Sequence, residues 1–255
     1  MTAQDDPISG KGTRSQGNPR GLRPESAAVA QMARNRAFLS ELERGCQACG
    51  LGAGPVLLAV SGGADSTAML RGLARLSASL QVKIYAAHLD HGLRTPQSRL
   101  DAEWLQDLAH AQGIELEVER RDVAAAAAAC RSGVEETARR LRYQFLESAA
   151  LKFECSAVVL AHTRDDQAET ILHHILRGTG LSGLIGIPRR RRLDSGITIL
   201  RPMLEVSRRG VLDYLDSIHQ TFREDESNQD LRYTRNRIRQ KLMPALRDEF
   251  NPQVE

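Results

Sequence analysis

Between Pro55 and Leu176 the spacing of hydrophobic positions changes repeatedly, and each change marks an element. Pro55-Val-Leu-Leu-Ala-Val60 is a continuous apolar run, which predicts a strand buried on both faces. Met69, Leu70, Leu73 and Leu76 then recur at helical spacing. Val82–His88 reads as a second strand, and a helix carrying Leu100, Trp104, Leu105 and Leu108 follows, ending before Gly113. Ile114–Glu119 alternates as a third strand. The Ala124–Ala129 run favours helix and reads as the start of a helix that Gly133 interrupts. Val134, Ala138, Leu141 and Phe145 mark the next helix, Ser156–Ala161 a fourth strand, and Ala168, Ile171, Leu172 and Ile175 a fourth helix. Strands alternating with helices in this way predict an α/β fold, a Rossmann-like parallel sheet flanked by helices.

The ends read differently. Residues 1–26 are polar, with almost no large apolar side chains, and predict a flexible tail. A short helix is expected over Ala27–Arg44. Residues 27–220 read as the main domain. Within it, Pro188-Arg-Arg-Arg-Arg192 is a basic loop, Ile197–Leu200 one more strand, and Ser207–Gln220 a helix. Residues 221–255 read as a short helical appendage, with a polar connection over Arg223–Arg232 and a helix over Thr234–Phe250.

Composition narrows the class. The hydrophobic fraction is 41%, or roughly 47% with Gly counted and Tyr left out, which is normal for a globular protein and excludes collagen, an acidic disordered tail and a disulfide-stapled miniprotein. Net charge is only +3, yet 31 of the 35 cations are Arg. Genomic base composition accounts for a preference of Arg over Lys but not for placement. From Pro188 to Gly210 seven Arg face only Asp194 and Glu205, a local charge of +5. Such a patch binds phosphates without reading sequence. With few aromatics interleaved, a folded RNA fits better than a single strand. No apolar stretch approaches the roughly 20 residues of a membrane helix, and no signal-peptide core is evident. Cys46, Cys49, Cys130 and Cys155 are expected to be reduced, in the cytoplasm. Cys46-Gln-Ala-Cys49 supplies two ligands where a structural zinc site needs four, and reads as two incidental thiols near a helix end.

The strongest chemical signal is Val60-Ser61-Gly62-Gly63-Ala64-Asp65-Ser66-Thr67, where a buried strand meets a helix. Gly62 and Gly63 permit a tight turn and close approach of a ligand. Ser61, Ser66 and Thr67 offer hydroxyls, and the helix N-terminus offers unpaired N–H groups. Together these make a phosphate cradle. It is not a Walker A loop, because the Lys of that motif is missing. Asp65 sits inside the anion site, so a divalent cation, Mg²⁺, is expected between it and the phosphates. An ordinary strand–helix turn capped by Asp65 and Ser66 is the alternative.

Other strand ends carry further groups. The second strand ends in His88-Leu-Asp-His91-Gly-Leu-Arg94, two His, an Asp and an Arg beside the glycine loop. The fourth ends in Ala161-His162-Thr-Arg-Asp165-Asp166-Gln-Ala-Glu169-Thr170. There Asp165 or Asp166 caps a helix, with Glu169 completing a capping box, or Asp166 faces Asp65 and shares the metal. Arg139 and Arg142 lie one helical turn apart. They form a solvated basic face, or one of them reaches the α-phosphate or the RNA backbone.

Ser61–Ser66 resembles the pyrophosphate loop of the ATP-pyrophosphatases, which cleave ATP between its α- and β-phosphates and transfer AMP to a substrate oxygen. Taken with His88–Arg94, Val134–Tyr143, Ala161–Thr170, Arg177–Pro188, Arg201–Leu204 and above all Asp225–Pro244, the chain resembles the tRNA(Ile)-lysidine synthase family from about Pro55 to Pro244. The resemblance implies an adenine nucleotide alpha hydrolase-like fold. It implies ATP and Mg²⁺ as cofactors, and tRNA(Ile) with a CAU anticodon and free L-lysine as substrates. AMP would be transferred to the C2 oxygen of the first anticodon cytidine and displaced by the lysine ε-amine, leaving lysidine. Ser61, Gly62, Gly63, Ala64, Asp65 and Ser66 would hold the pyrophosphate end of ATP. Asp65 and Asp166 would coordinate Mg²⁺, and Arg139 would contact the activated base or α-phosphate. Many members carry C-terminal domains that grip the acceptor stem, whereas this chain stops at Glu255. A naturally short member and a truncated frame both stay open, as do a homodimer, a tRNA cytidine thiolase of the same superfamily and a nucleotide-binding module without catalysis.

Overall fold

The computed structural model describes residues 24–92, 95–223 and 230–254, with the side chains of 24–27 and 95–98 outside that description. The expected tail therefore falls largely outside the described residues, but Pro24, Glu25 and Ser26 already belong to the first helix, α1 (Pro24–Ala48). Leu93 and Arg94, and Asp225–Asn228 of the discriminating motif, also lie outside.

Six strands form one sheet: β1 (Gly54–Ala59), β2 (Val82–Asp90), β3 (Glu115–Arg120), β4 (Ala157–Val159), β5 (Arg190–Arg192) and β6 (Thr198–Leu200). Their order is β3-β2-β1-β4-β6-β5. All neighbours run parallel except β5, which pairs antiparallel with β6. The sheet is thus the expected parallel one with a single antiparallel edge strand, and the basic loop over Pro188–Arg192 is corrected: three Arg form that short, exposed edge. Charged side chains are well suited to an edge, where they discourage further strand addition.

The period of two explains the core. Val56, Leu58 and Val60 face one cluster, built with α1, α2 (Ala64–Leu80), α3 (Thr95–Ala111) and α7 (Arg208–Ser217). Leu57 faces the other, built with Phe145, Leu146 and Ala149 of α5 (Val134–Lys152). β4 divides in the same way, Ala157 and Val159 against Val158. A continuous apolar run is what a strand covered on both faces requires. Phe38 of α1 stacks on Tyr214 of α7 with ring centroids 4.1 Å apart. The Ala-rich segment is a separate short helix, α4 (Val123–Cys130), capped by the Asp122 carboxylate on the Ala125 N–H.

α6 (Arg164–Leu176) follows β4. The expected Thr234–Phe250 helix is continuous but not regular. It runs as α8 (Thr234–Arg237), a π-helical segment (Ile238–Leu242) and α9 (Met243–Glu249). Pro244 lies in the first turn of α9. Its missing N–H and bulky ring disfavour the regular bond to the residue four before it, and a π segment absorbs the defect.

β1 sends one connection to β2 on its first side and pairs β4 on its second. The crevice between the carboxyl ends of β1 and β4 is the switch point at which open α/β sheets bind ligands. It positions the site.

Candidate active site

Ser61, Gly62 and Gly63 connect β1 to α2. Gly62 has φ +87°, a conformation that L side chains rarely adopt. Its carbonyl accepts from Thr67 Oγ1 at 3.1 Å and from the Arg223 N–H at 2.9 Å. Ser66 Oγ accepts from the Ser61 N–H at 3.1 Å and donates to the Gly63 carbonyl at 3.0 Å. Ser66 and Thr67 are buried. The structure thus corrects one expectation: their hydroxyls shape the loop from within, while Ser61 is exposed and the first turn of α2 carries N–H groups without intrahelical partners.

Asp65, on the first turn of α2, pairs with Arg208 Nη1 on the first turn of α7. The Arg208 N–H in turn donates to Asp165 at 2.7 Å. Burial pushes the Asp65 carboxyl up to about 6; Arg208 opposes this and Asp166 adds to it. The crevice therefore brings Asp65 and Asp166 within electrostatic reach of one another.

Asp166 begins α6 in a capping box. Thr163 is the N-cap, and Asp166 Oδ2 accepts from the Thr163 N–H and hydroxyl at 2.9 and 3.1 Å. Asp165 and Glu169 are not the capping pair; Glu169 points instead at the C-terminal helix. There Arg239 donates to Glu169 Oε1 at 2.6 Å and Oε2 at 2.9 Å, and to Asp166 Oδ1 at 3.1 Å. Arg235 reaches the same Asp166 oxygen at 3.0 Å and Glu169 Oε2 at 3.3 Å. Burial alone would raise the Asp166 pKa, but Arg235, the Thr163 N–H and Arg239 outweigh it and hold the carboxyl below its usual range.

This bears on a metal. Asp65 Oδ1 is buried and accepts no hydrogen bond from the described residues. It suits a cation that takes its remaining ligands from phosphates and water, as Mg²⁺ does. Asp166 fits less well as a second ligand, because both its oxygens already carry donors. No cluster of three or more His, Cys, Asp and Glu gathers among the described residues.

Arg139 is not brought to this crevice. It lies over the Tyr143 ring at 5.3 Å, as Arg191 does at 5.4 Å. With Glu136, Arg140 and Glu147 these line a separate groove of about 490 Å³ between α5 and β5. Among the described residues Arg139 touches neither Asp65 nor Asp166. Arg142 approaches His91 Nε2 at 3.2 Å. His88 is structural: its Nδ1 donates to the Val60 carbonyl at 2.9 Å, tying β2 to the entrance of the loop.

The basic stretch is only partly a surface. Arg201 is buried, Arg208 turns inward to Asp65, and Arg189 pairs with Glu205. Arg190, Arg191 and Arg192 remain exposed on β5. Cys46 and Cys49 are buried in the core, and burial pushes the Cys46 thiol up to about 12. Cys155 lies in the opposite cluster and Cys130 on the surface, so the four thiols do not form one ligand set. Sequence reasoning passed over Arg208, Glu169, Arg235, Arg239 and Arg201 as site residues. The available signal was spacing: Asp166 and Glu169 at i,i+3 and Arg235 and Arg239 at i,i+4 each share a helix face.

A protein from Deinococcus deserti described as tRNA(Ile)-lysidine synthase is 45% identical over 200 residues, covering 78% of this chain and 35% of that protein. One of the same description from Symbiobacterium thermophilum is 40% identical over 207 residues, covering 78% and 41%. The chain thus spans well under two thirds of the length of these relatives. In fold it resembles the U34-tRNA thiolase NcsA from Methanococcus maripaludis, with a TM-score of 0.71 at 12% identity, covering 88% of this chain and 76% of that one. It also resembles an NH3-dependent NAD synthetase from Campylobacter jejuni, with a TM-score of 0.50 at 12% identity, covering 88% and 91%. The model of the PP-loop domain matches residues 32–246, nearly the whole described structure. With its glycine loop at the β1–β4 crevice, the chain belongs to the PP-loop family of ATP-using proteins.

Proposed function

We propose that this chain is the catalytic part of an ATP-dependent ligase that joins free L-lysine to C2 of the first anticodon cytidine of tRNA(Ile) bearing a CAU anticodon. The products are lysidine, AMP and pyrophosphate. One observation carries the reading. At the β1–β4 crevice a glycine loop on a helix N-terminus lies beside a buried carboxylate oxygen with no donor. The similarity to lysidine synthases supports the choice of substrates.

In this reading Ser61–Ser66 and the first turn of α2 hold the pyrophosphate end of ATP through N–H groups and the helix dipole. The C2 oxygen of cytidine attacks the α-phosphorus and pyrophosphate leaves. The ε-amine of lysine then attacks C2, AMP departs with the oxygen, and the amine releases its protons. Asp65 would hold Mg²⁺, which neutralises charge developing on the leaving pyrophosphate. Asp166 joins it only when Arg235 and Arg239 give way, and is otherwise a positioning group for the crevice. Exposed Arg190–Arg192 and the Arg139–Tyr143–Arg191 groove are the surfaces proposed to meet tRNA phosphates.

The test uses the purified chain, ATP, Mg²⁺, radiolabelled lysine and the CAU-anticodon isoleucine tRNA. Acid-precipitable label that requires every component is the expected result. ATP binding without AMP release, in folded protein, would return the chain to a nucleotide-binding module.

A further inference from the structure

Arg201, one residue past β6, is 2% exposed, and all three arms of its guanidinium are engaged. Nε donates to His162 Nδ1 at 3.3 Å, Nη1 to the Pro188 carbonyl at 2.7 Å and Nη2 to the Tyr143 hydroxyl at 3.3 Å. The Arg201 N–H itself donates to the Arg189 carbonyl at 3.0 Å. This one side chain ties the end of β4 to α5 and to the edge strand.

The contact with His162 fixes a protonation state. An arginine in a protein stays protonated and its Nε always carries hydrogen. His162 Nδ1 is therefore the acceptor. A neutral imidazole has a single N–H, so the proton resides on Nε2. Charging the ring would set two N–H donors against each other. Burial opposes the charge as well, with Arg201, Arg235 and Arg142 acting in the same direction and Asp166 against them; the ring is held down to about 4. No hydrogen-bond acceptor for Nε2 is found among the described residues. His162 lies just past the carboxyl end of β4, half-buried and within electrostatic reach of Asp166.

We infer that Arg201 is a positioning residue that locks His162 as the neutral Nε2–H tautomer, an uncharged donor for an acceptor oxygen at the β1–β4 crevice. A neutral imidazole can polarise an oxygen without surrendering its proton to it. The oxygen belongs either to an ATP phosphate or to the cytosine base. This second half of the inference rests on the proposed ligase reading; the tautomer does not.

Long-range ¹H–¹⁵N spectra of histidine-labelled intact protein test both halves, with His162→Gln assigning the signal. The expected spectrum shows Nδ1 bare, Nε2 protonated and no titration of the ring from about pH 5 to 8. In Arg201→Met the ring mixes tautomers and titrates higher than in the native chain, while burial, Arg235 and Arg142 still hold it below the usual value. A wild-type ring with Nδ1–H, or one charged at about pH 6, overturns the lock whether or not the variant folds. Adding ATP and Mg²⁺ shifts the Nε2–H resonance if the acceptor is a phosphate; a shift that appears only after tRNA is added assigns the base. A resonance unmoved by both ligands together overturns the donor role. Where lysidine forms, His162→Ala lowers its rate about 10²-fold with little change in the KM for ATP. A chain that shows the locked tautomer yet forms no lysidine refutes the ligase reading and leaves the lock standing.

Discussion

Arg239 donates to both oxygens of Glu169, at 2.6 and 2.9 Å, across 70 residues of sequence. Its other contact, at 3.1 Å, is to Asp166. The C-terminal helix is thereby fastened to the first two turns of α6, beside the crevice. The Glu169 side chain is 3% exposed and that of Arg239 40%.

Removing Arg239 leaves the buried Glu169 carboxylate to the longer contact from Arg235, at 3.3 Å. Arg239→Leu is expected to cost about 2 kcal/mol, less than a fully buried pair because solvent screens the arginine. Pairing it with Glu169→Leu recovers most of that loss. Urea unfolding of both variants decides; a single-variant loss within the range of an exposed ion pair would show the clasp to be superficial.

The pH dependence of Asp65 has a defined sign. Its folded pKa of about 6 lies above the usual carboxylate range, so the folded state binds the extra proton. Its contribution to stability is present at low pH and is lost as pH rises from about 4 to 6. Asp65→Asn should flatten the stability profile in that window. The same titration should weaken Mg²⁺·ATP binding below about pH 6 in the native chain, and Asp65→Asn should bind weakly throughout. Calorimetric titration at several pH values checks this, and an unchanged affinity would remove the metal assignment.

Adjacent glycines should separate backbone strain from side-chain crowding. At Gly62 an added Cβ meets only ordinary contacts, at 3.6 and 3.7 Å from Arg223, but φ is +87°. Gly62→Ala should therefore cost about 1–2 kcal/mol through the backbone and reduce ATP affinity. Gly63, with φ −66° and ψ 164°, has room for Cβ. Gly63→Ala should fold as stably as the native chain, and thermal melts of the pair give the comparison.

Cys46 and Cys49 lie in the core between α1 and the sheet. Cys46→Ala with Cys49→Ala should lower the melting temperature through lost packing while leaving AMP release with lysine and tRNA intact. Abolished turnover in a folded double variant would favour sulfur chemistry over lysine ligation.

On β5, alanine in place of Arg190, Arg191 and Arg192 should weaken tRNA binding uniformly across sequences. It should lower the slope of log affinity against log salt by about 1 for each arginine that contacts a phosphate. Filter binding over a salt series measures this, and an unaltered slope would move the tRNA surface elsewhere.

Much of this molecule was legible in local sequence. The β1 run, the helical spacing of α2 and the turn between them follow from short-range periodicity and from what glycine permits. So does the placement of the glycine loop on a helix N-terminus, because the two are contiguous in the chain. Local pattern could not assign the direction of β5, since three arginines read equally as loop or edge strand until β6 is beside them. Nor could it divide the arginines into surface and interior. Arg201 and Arg190 look alike in sequence, yet one is enclosed by His162, Tyr143 and Pro188 and the other stands on an open edge. Arg139 fell on the α5 groove, and Arg208, Arg235 and Arg239 took the crevice, because helix packing decides which carboxylate a long side chain can reach. Period and turn chemistry operate within a few residues, whereas pairings over separations of 66 to 143 residues exist only once the sheet has brought its strand ends together.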